Sequence, residues 1–318
     1  MGRTIGRLNR GLKNMGNAIV GALAISLLKL LRLTNPDKMA DVSGWLMSRI
    51  GPFLPENRVG RANLTAAFPQ KAPAEVEEIL RGVWDNIGRM AAEFAHLDRL
   101  SDFDPWNPQR PARIEAHQDD IDRFFKLLHS GKPALVFAAH FANWELPAVC
   151  AAACKINSAV LYRRPNIPAI DKWLHTTRSA TMGMLIPTGL DAPVRLADAL
   201  GRGIHVGMLV DQYYSRGVDV TFFGRRTKAN PLLARLARHF DCPIHGTRIV
   251  RLPGHRFRAE LTEQVKPVRD AEGRIDVAGT TQAITTVTEG WIREYPDQWL
   301  WLHRRWRPED HRAINDRS

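Results

Sequence analysis

The sequence predicts an α/β protein: a layered α-β-α domain with a central, mostly parallel mixed sheet, preceded by an N-terminal helical region that associates with a membrane. From residue 114 onward, short apolar runs alternate with helical stretches, which is typical of a parallel sheet covered by helices. Residues 35–113 have a helical pattern, and the first 34 residues are basic and apolar. These three observations define three regions in chain order.

Residues 1–34 are predicted to form a membrane anchor or an interfacial helix. The apolar run Ala18–Leu28 is shorter than the roughly 20 residues needed to cross a bilayer. A secretory signal is the rival interpretation, because Ala22-Leu23-Ala24 resembles a cleavage site. The apolar pattern continues past that site, which favours a retained segment, and a plain buried helix is the remaining alternative. The first 32 residues contain no acidic side chain and six basic ones: Arg3, Arg7, Arg10, Lys13, Lys29 and Arg32.

Residues 35–318 are predicted to form one domain, helical to about residue 113 and α/β over 114–318. The segment Pro73–Phe94 is an amphipathic helix, since its apolar residues recur every three or four positions. Ser101–Arg113 contains three prolines and no periodicity, so it is the boundary between the two parts.

The α/β part is predicted to contain five strands and at least six helices. His255–Leu261 alternates apolar and charged residues, which indicates a half-exposed strand that is antiparallel and near an edge. The predicted strands are Leu135–Ala139, Ala159–Tyr162, Ile204–Val210, Ile244–Arg251 and His255–Leu261. The predicted helices are Ile121–Leu128, Ala148–Lys155, Ala169–Met182, Pro193–Leu200, Leu232–Phe240 and Thr281–Tyr295.

The chain is strongly basic, with 45 Lys and Arg against 33 Asp and Glu and a net charge of +12. Anionic partners are therefore expected, whether nucleic acid, anionic lipid or an acidic protein. Three cysteines, Cys150, Cys154 and Cys242, are too few and too irregularly spaced for a disulfide framework or a zinc site, so we interpret them as buried thiols in a reducing compartment.

The stretch Gly131–Pro147 contains the best candidate for chemistry. A buried strand is followed directly by His140, and Glu145 comes five residues later, where Pro147 allows a helix to begin. A histidine at a strand end and a carboxylate at the next helix start can face each other across a tight turn, as a general base and its orienting partner do. Alone, this spacing is more often structural than catalytic, but Asp211-Gln212 follows another predicted strand, and such strand ends meet in one cleft.

Several common motifs are absent from the sequence. It has no GxSxG, no Walker A motif and no zincin pair of histidines, and the glycines 201, 203 and 207 precede a strand with the wrong spacing for a dinucleotide fingerprint. No metal and no nucleotide cofactor is therefore expected.

The segment His140–Glu145 (HFANWE) is similar to the HX4E block of glycerolipid-type acyltransferases, and the chain resembles the late (secondary) lipid A acyltransferases, the lauroyl and myristoyl transferases of lipopolysaccharide assembly. Five blocks in the family's order carry the resemblance over most of the chain. The sequence departs from the family by an extra arginine before Pro165 and by Lys228–Pro231, so either Arg163 or Arg164 matches the family's arginine. The other four blocks are Asn63–Pro69 with Asn86–Glu93, Tyr162–Asn166 with Asp171 and Arg178, Asp211-Gln212 with Phe222–Gly224, and Pro296–Arg307.

The resemblance implies transfer of an acyl chain from an acyl carrier protein thioester to a hydroxyl of a Kdo-bearing lipid A precursor, at the cytoplasmic face of the inner membrane. It implies His140 as general base, oriented by Glu145. Arg178 would bind the oxyanion or a substrate phosphate, and Asp211 would organise Arg178 or the acceptor. Arg163, Arg164 and Asn143 are further candidates for contact with substrate.

Structural interpretations remain open for several of these residues. Asn143 and Trp144 also suit a role in shaping the turn, and Arg163 and Arg164 also suit ordinary solvated charges. The composition of Trp299–Arg307 suits binding to single-stranded nucleic acid or to a membrane interface. The basic, apolar N-terminus of the same chain favours the membrane, so no nucleic acid is expected.

Two alternative functions are also compatible with the sequence. One is an acyltransferase whose acceptor is a lysophospholipid or another amphiphile. The other is a non-catalytic basic protein that binds a membrane or nucleic acid, with a structural His140.

Overall fold

The computed structural model describes residues 16, 18 and 20–307, and its first part is helical. Residues 20–31 are helical and are called α1, and four further helices follow before the sheet. Three of them begin at a proline, which suits a first turn whose N–H groups lack intrahelical partners. The predicted helix over Pro73–Phe94 is confirmed as the longest of these. The bounds are α2 Pro36–Ile50, α3 Pro55–Ala67, α4 Pro73–Glu93 and α5 Leu97–Leu100.

The second part is built on a seven-stranded sheet of order β1-β9-β8-β2-β5-β3-β4. All neighbours are parallel except β8 and β9, so the predicted mostly parallel mixed sheet is confirmed. The antiparallel β9 lies next to the edge strand, as its alternating pattern predicts. The strands of the sheet are β1 Ile114–Glu115, β2 Leu135–Ala138, β3 Ser158–Tyr162, β4 Met184–Pro187, β5 His205–Leu209, β8 Ile244–Leu252 and β9 Arg256–Leu261.

Helices cover both faces of this sheet. On one face, α9, α10 and α11 pack on Phe137 and Val206 in the largest hydrophobic cluster, which also includes Leu80 of α4. The helical part therefore shares its core with the sheet. On the other face, Leu146 packs with Ile249 in a smaller cluster. The helices of this part are α6 Gln118–Leu128, α7 Leu146–Ala153, α8 Pro168–Thr181, α9 Ala192–Gly201, α10 Leu232–Phe240 and α11 Val277–Glu294.

The segment after α11 lies inside the protein. Trp299 and Trp301 have no exposed surface, and Arg305 is 1% exposed. The Arg305 side chain donates to the hydroxyl of Thr227 (3.0 Å), in the hairpin formed by β6 (Val218–Phe222) and β7 (Arg225–Ala229). The interpretation of Trp299–Arg307 as a membrane or nucleic-acid surface is therefore wrong for Trp299, Trp301 and Arg305, because these side chains are buried in the core.

The prediction for residues 1–34 is only partly within the described residues. Helix α1 exposes several large apolar side chains, namely Val20, Leu23, Leu27 and Leu30. Over the part of the chain that the structure describes, no helix is long and apolar enough to span a membrane. The division into an anchor and one domain stays a prediction.

Candidate active site

His140 lies in a sharply bent loop that directly follows β2. The loop needs a left-handed backbone at Ala142 (φ 45°), a conformation that costs energy for a residue with a side chain. Two backbone hydrogen bonds to the C-terminal segment hold it: Ala142 N–H donates to the carbonyl of Gln298 (2.7 Å), and Leu300 N–H donates to the carbonyl of His140 (3.0 Å). The end of the chain therefore fixes the position of the histidine.

Asp211 holds the imidazole of His140. Its Oδ1 lies 2.8 Å from His140 Nδ1, and its Oδ2 accepts the His140 backbone N–H (2.9 Å) and the Trp299 indole N–H (2.7 Å). The Asp211 side chain has no exposed surface. Burial opposes its ionisation, but the charge and hydrogen bonds of His140 outweigh burial and hold the pKa of this carboxyl below its ordinary value. Asp211 is therefore a buried carboxylate that fixes the orientation of the ring.

The structure differs from the expectation that Glu145 contacts and orients His140, because Glu145 is bonded to Arg178 instead. Both carboxylate oxygens of Glu145 bond to Arg178, with Arg178 Nε 2.9 Å from Oε2 and Nη2 2.5 Å from Oε1. A guanidinium satisfies a carboxylate through two parallel hydrogen bonds, which a single imidazole N–H cannot match. The register also favours Asp211, because β2 and β5 pair with Ala138 opposite Leu209, two residues before His140 and Asp211.

Arg178 joins the site through this ion pair. Its side chain is 16% exposed, and its guanidinium carbon lies 5.6 Å from the ring centre of Phe94 and 5.8 Å from that of Tyr162. Two aromatic rings and a buried carboxylate therefore hold the charge of Arg178 close to the loop that carries His140.

Asn143 has no exposed surface. It donates to Glu93 Oε2 (2.9 Å), a carboxylate that also binds Arg251, whose Nε donates to Asn86 Oδ1 (2.9 Å). Asn143 does not line the cavity, and its contacts favour the turn-shaping interpretation over substrate contact. This buried network connects the His140 loop to α4 and β8.

The His140 side chain also borders an open cavity. The Gln212 side-chain nitrogen lies 3.4 Å from His140 Nε2, and the ring of Trp144 meets the imidazole edge-on at 5.1 Å between centroids. With Nδ1 held by Asp211, Nε2 is the nitrogen available to accept a proton. Arg163 is exposed and borders the same space, whereas Arg164 is exposed and lies outside its lining.

A cavity of about 590 Å³ extends from His140 along the face of the sheet that carries Ile249. It runs from His140 and Gln212, at the carboxyl ends of β2 and β5, to Ser158 and His205, where β3 and β5 begin. Most of its wall is hydrocarbon, and its size suits one extended apolar chain. Its apolar lining includes Phe124, Leu127, Val136, Ala151, Val160 and Leu185.

A second histidine lies behind the His140–Asp211 pair. His303 Nδ1 is 2.7 Å from the carbonyl of Leu300, and burial lowers the pKa of His303 to about 4 despite the nearby charge of Asp211. Within the described residues, no group of three or more His, Cys, Asp or Glu side chains could hold a metal ion.

The sequence interpretation missed three residues of this site. Trp299 was assigned to a surface, although it lies in one of the blocks that resemble the family. Glu93 lies in another such block, but a block does not reveal its partner. Arg251 carries no sequence signal, because its contact with Glu93 joins residues 158 positions apart.

The His140–Asp211 pair lies at the carboxyl ends of parallel strands, where open α/β sheets bind their ligands. It borders a long apolar cavity, which suits an apolar ligand. These features define an α/β protein with a ligand site of this kind. The family model of the bacterial lipid A biosynthesis acyltransferases matches residues 12–308, nearly the whole chain. The chain belongs to that family and is an acyltransferase of lipid A biosynthesis. Among curated proteins, none matches it.

Proposed function

We propose that this protein transfers a fatty acyl chain from an acyl carrier protein thioester to a hydroxyl of a Kdo-bearing lipid A precursor, with His140 as general base. One observation supports the proposal: His140 lines the apolar cavity, and Asp211 holds its Nδ1, which leaves Nε2 as the ring nitrogen that can accept a proton. The cavity has room for the acyl chain, and a chain bound there with its thioester near His140 would bring the carbonyl carbon within reach of the base.

The reaction needs a base because an alcohol is a weak nucleophile at neutral pH. His140 Nε2 takes the hydroxyl proton as the acceptor oxygen bonds to the thioester carbonyl carbon. Asp211 stabilises the imidazolium that forms, in the role that the acidic member has in hydrolase triads. The tetrahedral intermediate then collapses, the carbon–sulfur bond breaks, and the proton passes from His140 to the thiolate. The products are an ester and a free carrier thiol.

Arg178 is proposed to stabilise negative charge at the mouth of the cavity. Nε and Nη2 are engaged by Glu145, which leaves the N–H groups of Nη1 for the oxyanion or for a phosphate of the acceptor. Glu145 is proposed to position this arginine instead of the base. The pair would thus supply directed N–H donors with little net charge.

The donor and the location are proposed from charge and resemblance. A chain of net charge +12 attracts an acidic carrier protein and the phosphates and carboxylates of the acceptor. Arg163, at the cavity rim, and Arg164, beside it, are exposed cations available to such groups. We place the enzyme at the cytoplasmic face of the inner membrane, where an acyl carrier protein meets a lipid acceptor.

The decisive experiment compares His140→Ala with His117→Ala, an exposed histidine outside the cavity lining. Acyl transfer from an acyl carrier protein thioester to the lipid A precursor is followed by mass spectrometry. His140→Ala is expected to lower kcat by on the order of 10²-fold or more, and His117→Ala to leave it unchanged. Full activity of His140→Ala would overturn the proposed chemistry. Transfer to a lysophospholipid in preference to the lipid A precursor would overturn the proposed acceptor.

A further inference from the structure

Helix α2 (Pro36–Ile50) has an exposed apolar stripe that nothing in the described fold covers. One side of the helix packs on α4, where Gly88 comes too close to Ser43 and Gly44 to carry a side chain. Large apolar residues on the opposite side recur at helical spacing and continue into the turn that follows α2. They are Val42 (55% exposed), Trp45 (58%), Leu46 (44%), Ile50 (43%) and Phe53 (87%).

The charges around this stripe are positive. Lys38 and Arg49 are exposed and occupy the same side of the helix by their spacing from Val42, and the Arg49 guanidinium lies 5.4 Å from the Trp45 ring centre. Residues 36–53 contain two acidic side chains. Asp37 pairs with Arg113, and Asp41 lies 2.6 Å from Arg89, so both carboxylates are paired with cations of the fold.

An exposed apolar stripe flanked by cations favours a membrane-binding surface over a protein-docking surface. A protein-docking site is usually a concave or flat patch with its charges depleted at the centre. Here aromatic side chains project outward from a convex helix and are flanked by long cationic side chains. Such side chains keep their hydrocarbon in the acyl boundary and their charge among anionic headgroups.

We propose that the exposed face of α2, with Phe53, inserts into the interface of an anionic bilayer. This contact is additional to the one predicted for residues 1–34. Because α1 precedes α2 directly and also exposes apolar residues, the two helices would hold the protein at two points and restrict its orientation on the lipid surface. The inference stands apart from the chemistry at His140.

The test measures partition of the full-length protein onto vesicles of phosphatidylcholine with and without phosphatidylglycerol, by co-sedimentation. The Trp45→Ser/Phe53→Ser variant is expected to partition on the order of ten-fold or more weaker onto both vesicle types. Lys38→Glu/Arg49→Glu is expected to weaken binding to the phosphatidylglycerol vesicles only.

The matched control is Leu190→Ser/Val194→Ser, which removes two apolar residues that are 99% and 72% exposed elsewhere. This control is expected to partition like the wild type. Turnover of detergent-dispersed substrate should remain normal in all three variants, which shows that each is folded and that the proposed function is intact.

Three outcomes would overturn the inference. The first is wild-type vesicle binding by Trp45→Ser/Phe53→Ser. The second is an equal loss in the Leu190→Ser/Val194→Ser control, which would mean that exposed apolar residues anywhere on the protein contribute. The third is unchanged vesicle binding together with lost affinity for acyl carrier protein, which would make this face a protein-docking site.

Discussion

Gly207 forms part of the floor of the cavity, and replacing it with valine is predicted to shorten the preferred acyl chain. Gly207 lies on β5, opposite Val136 of β2 and Val160 of β3. A Cβ atom built there would meet its nearest neighbours at 3.9–4.0 Å, which is ordinary van der Waals contact. The neighbouring strands therefore tolerate a side chain at residue 207, and that side chain would occupy space in the cavity.

The size of the effect follows from the hydrocarbon that valine displaces. If the valine side chain excludes about two methylenes of the acyl chain, the longer donor loses about 0.8 kcal/mol for each, or about 1.6 kcal/mol in total. This corresponds to about a 15-fold fall in kcat/KM for the donor that wild type prefers, relative to a donor two carbons shorter. The shorter donor should keep nearly full activity.

The assay supplies mixed acyl carrier protein thioesters of even chain length and measures the ester products by mass spectrometry. Gly290→Val is the control, because Gly290 lies in α11 with open space around its Cβ position. An unchanged preference in Gly207→Val, or an equal loss with every donor, would show that the acyl chain does not occupy this cavity.

Three further predictions concern the groups around His140. Asp211→Asn should lower kcat/KM by on the order of 10³-fold with KM nearly unchanged, because the ring loses its orientation and the imidazolium its partner; a fall of less than ten-fold would contradict this role. Glu145→Gln should lower the free energy of unfolding by about 3 kcal/mol in urea denaturation, since it leaves Arg178 unpaired, and removing both partners should cost less than the sum of the single changes. His303→Asn should reduce the loss of stability on acidification. The folded-state pKa of His303, about 4, lies below its ordinary value of 6.5, so between these values the unfolded chain binds a proton that the folded one does not, and stability falls as pH falls. Denaturation at pH 7 and pH 5 should show wild type losing about 2 kcal/mol more than the variant, and equal losses would contradict the buried neutral state of His303.

Local pattern predicted most of the α/β part. The strands β2 (LVFA) and β3 (SAVLY) are short, mainly apolar runs between turn residues, and a buried strand of a parallel sheet has that composition. In β5 (HVGML) and β8 (IHGTRIVRL) the apolar residues are interrupted by polar residues or glycine. Four strands of the described fold were missed for physical reasons. β1 has two residues, and β4 (Met184–Pro187) is a four-residue edge strand that ends at a proline. β6 (VDVTF) lies in a separate two-stranded hairpin, and its partner β7 (RRTKA) is stabilised by Arg305 from the other end of the chain.

The C-terminal aromatic segment shows where composition misleads. Tryptophans interleaved with arginines suit a membrane interface, a nucleic acid or a core in which each arginine has buried partners. Trp299 and Arg305 belong to a core with buried partners, since the Trp299 indole donates to Asp211 and the Arg305 guanidinium donates to Thr227. Only the tertiary partners decide between these cases, and they lie 88 and 78 residues away.

The site itself shows what a motif can and cannot specify. The HX4E spacing correctly predicts that His140 and Glu145 lie close together after β2. Spacing along the chain, however, carries no information about residues of the neighbouring strand. Because β2 and β5 are adjacent and parallel, with Ala138 opposite Leu209, the second residue after β5 lies beside the second residue after β2. These residues are Asp211 and His140. Since Asp211 binds His140, Glu145 is available to bind Arg178, which lies on α8. A motif of one histidine and one carboxylate thus becomes two pairs: His140 with Asp211 at the end of the sheet, and Glu145 with Arg178 on the cavity wall. The first pair is the proposed proton acceptor, and the second is the proposed anion-binding pair. If the division is correct, Glu145→Gln should weaken the binding of substrate more than it changes the pH dependence of kcat, whereas Asp211→Asn should change the pH dependence.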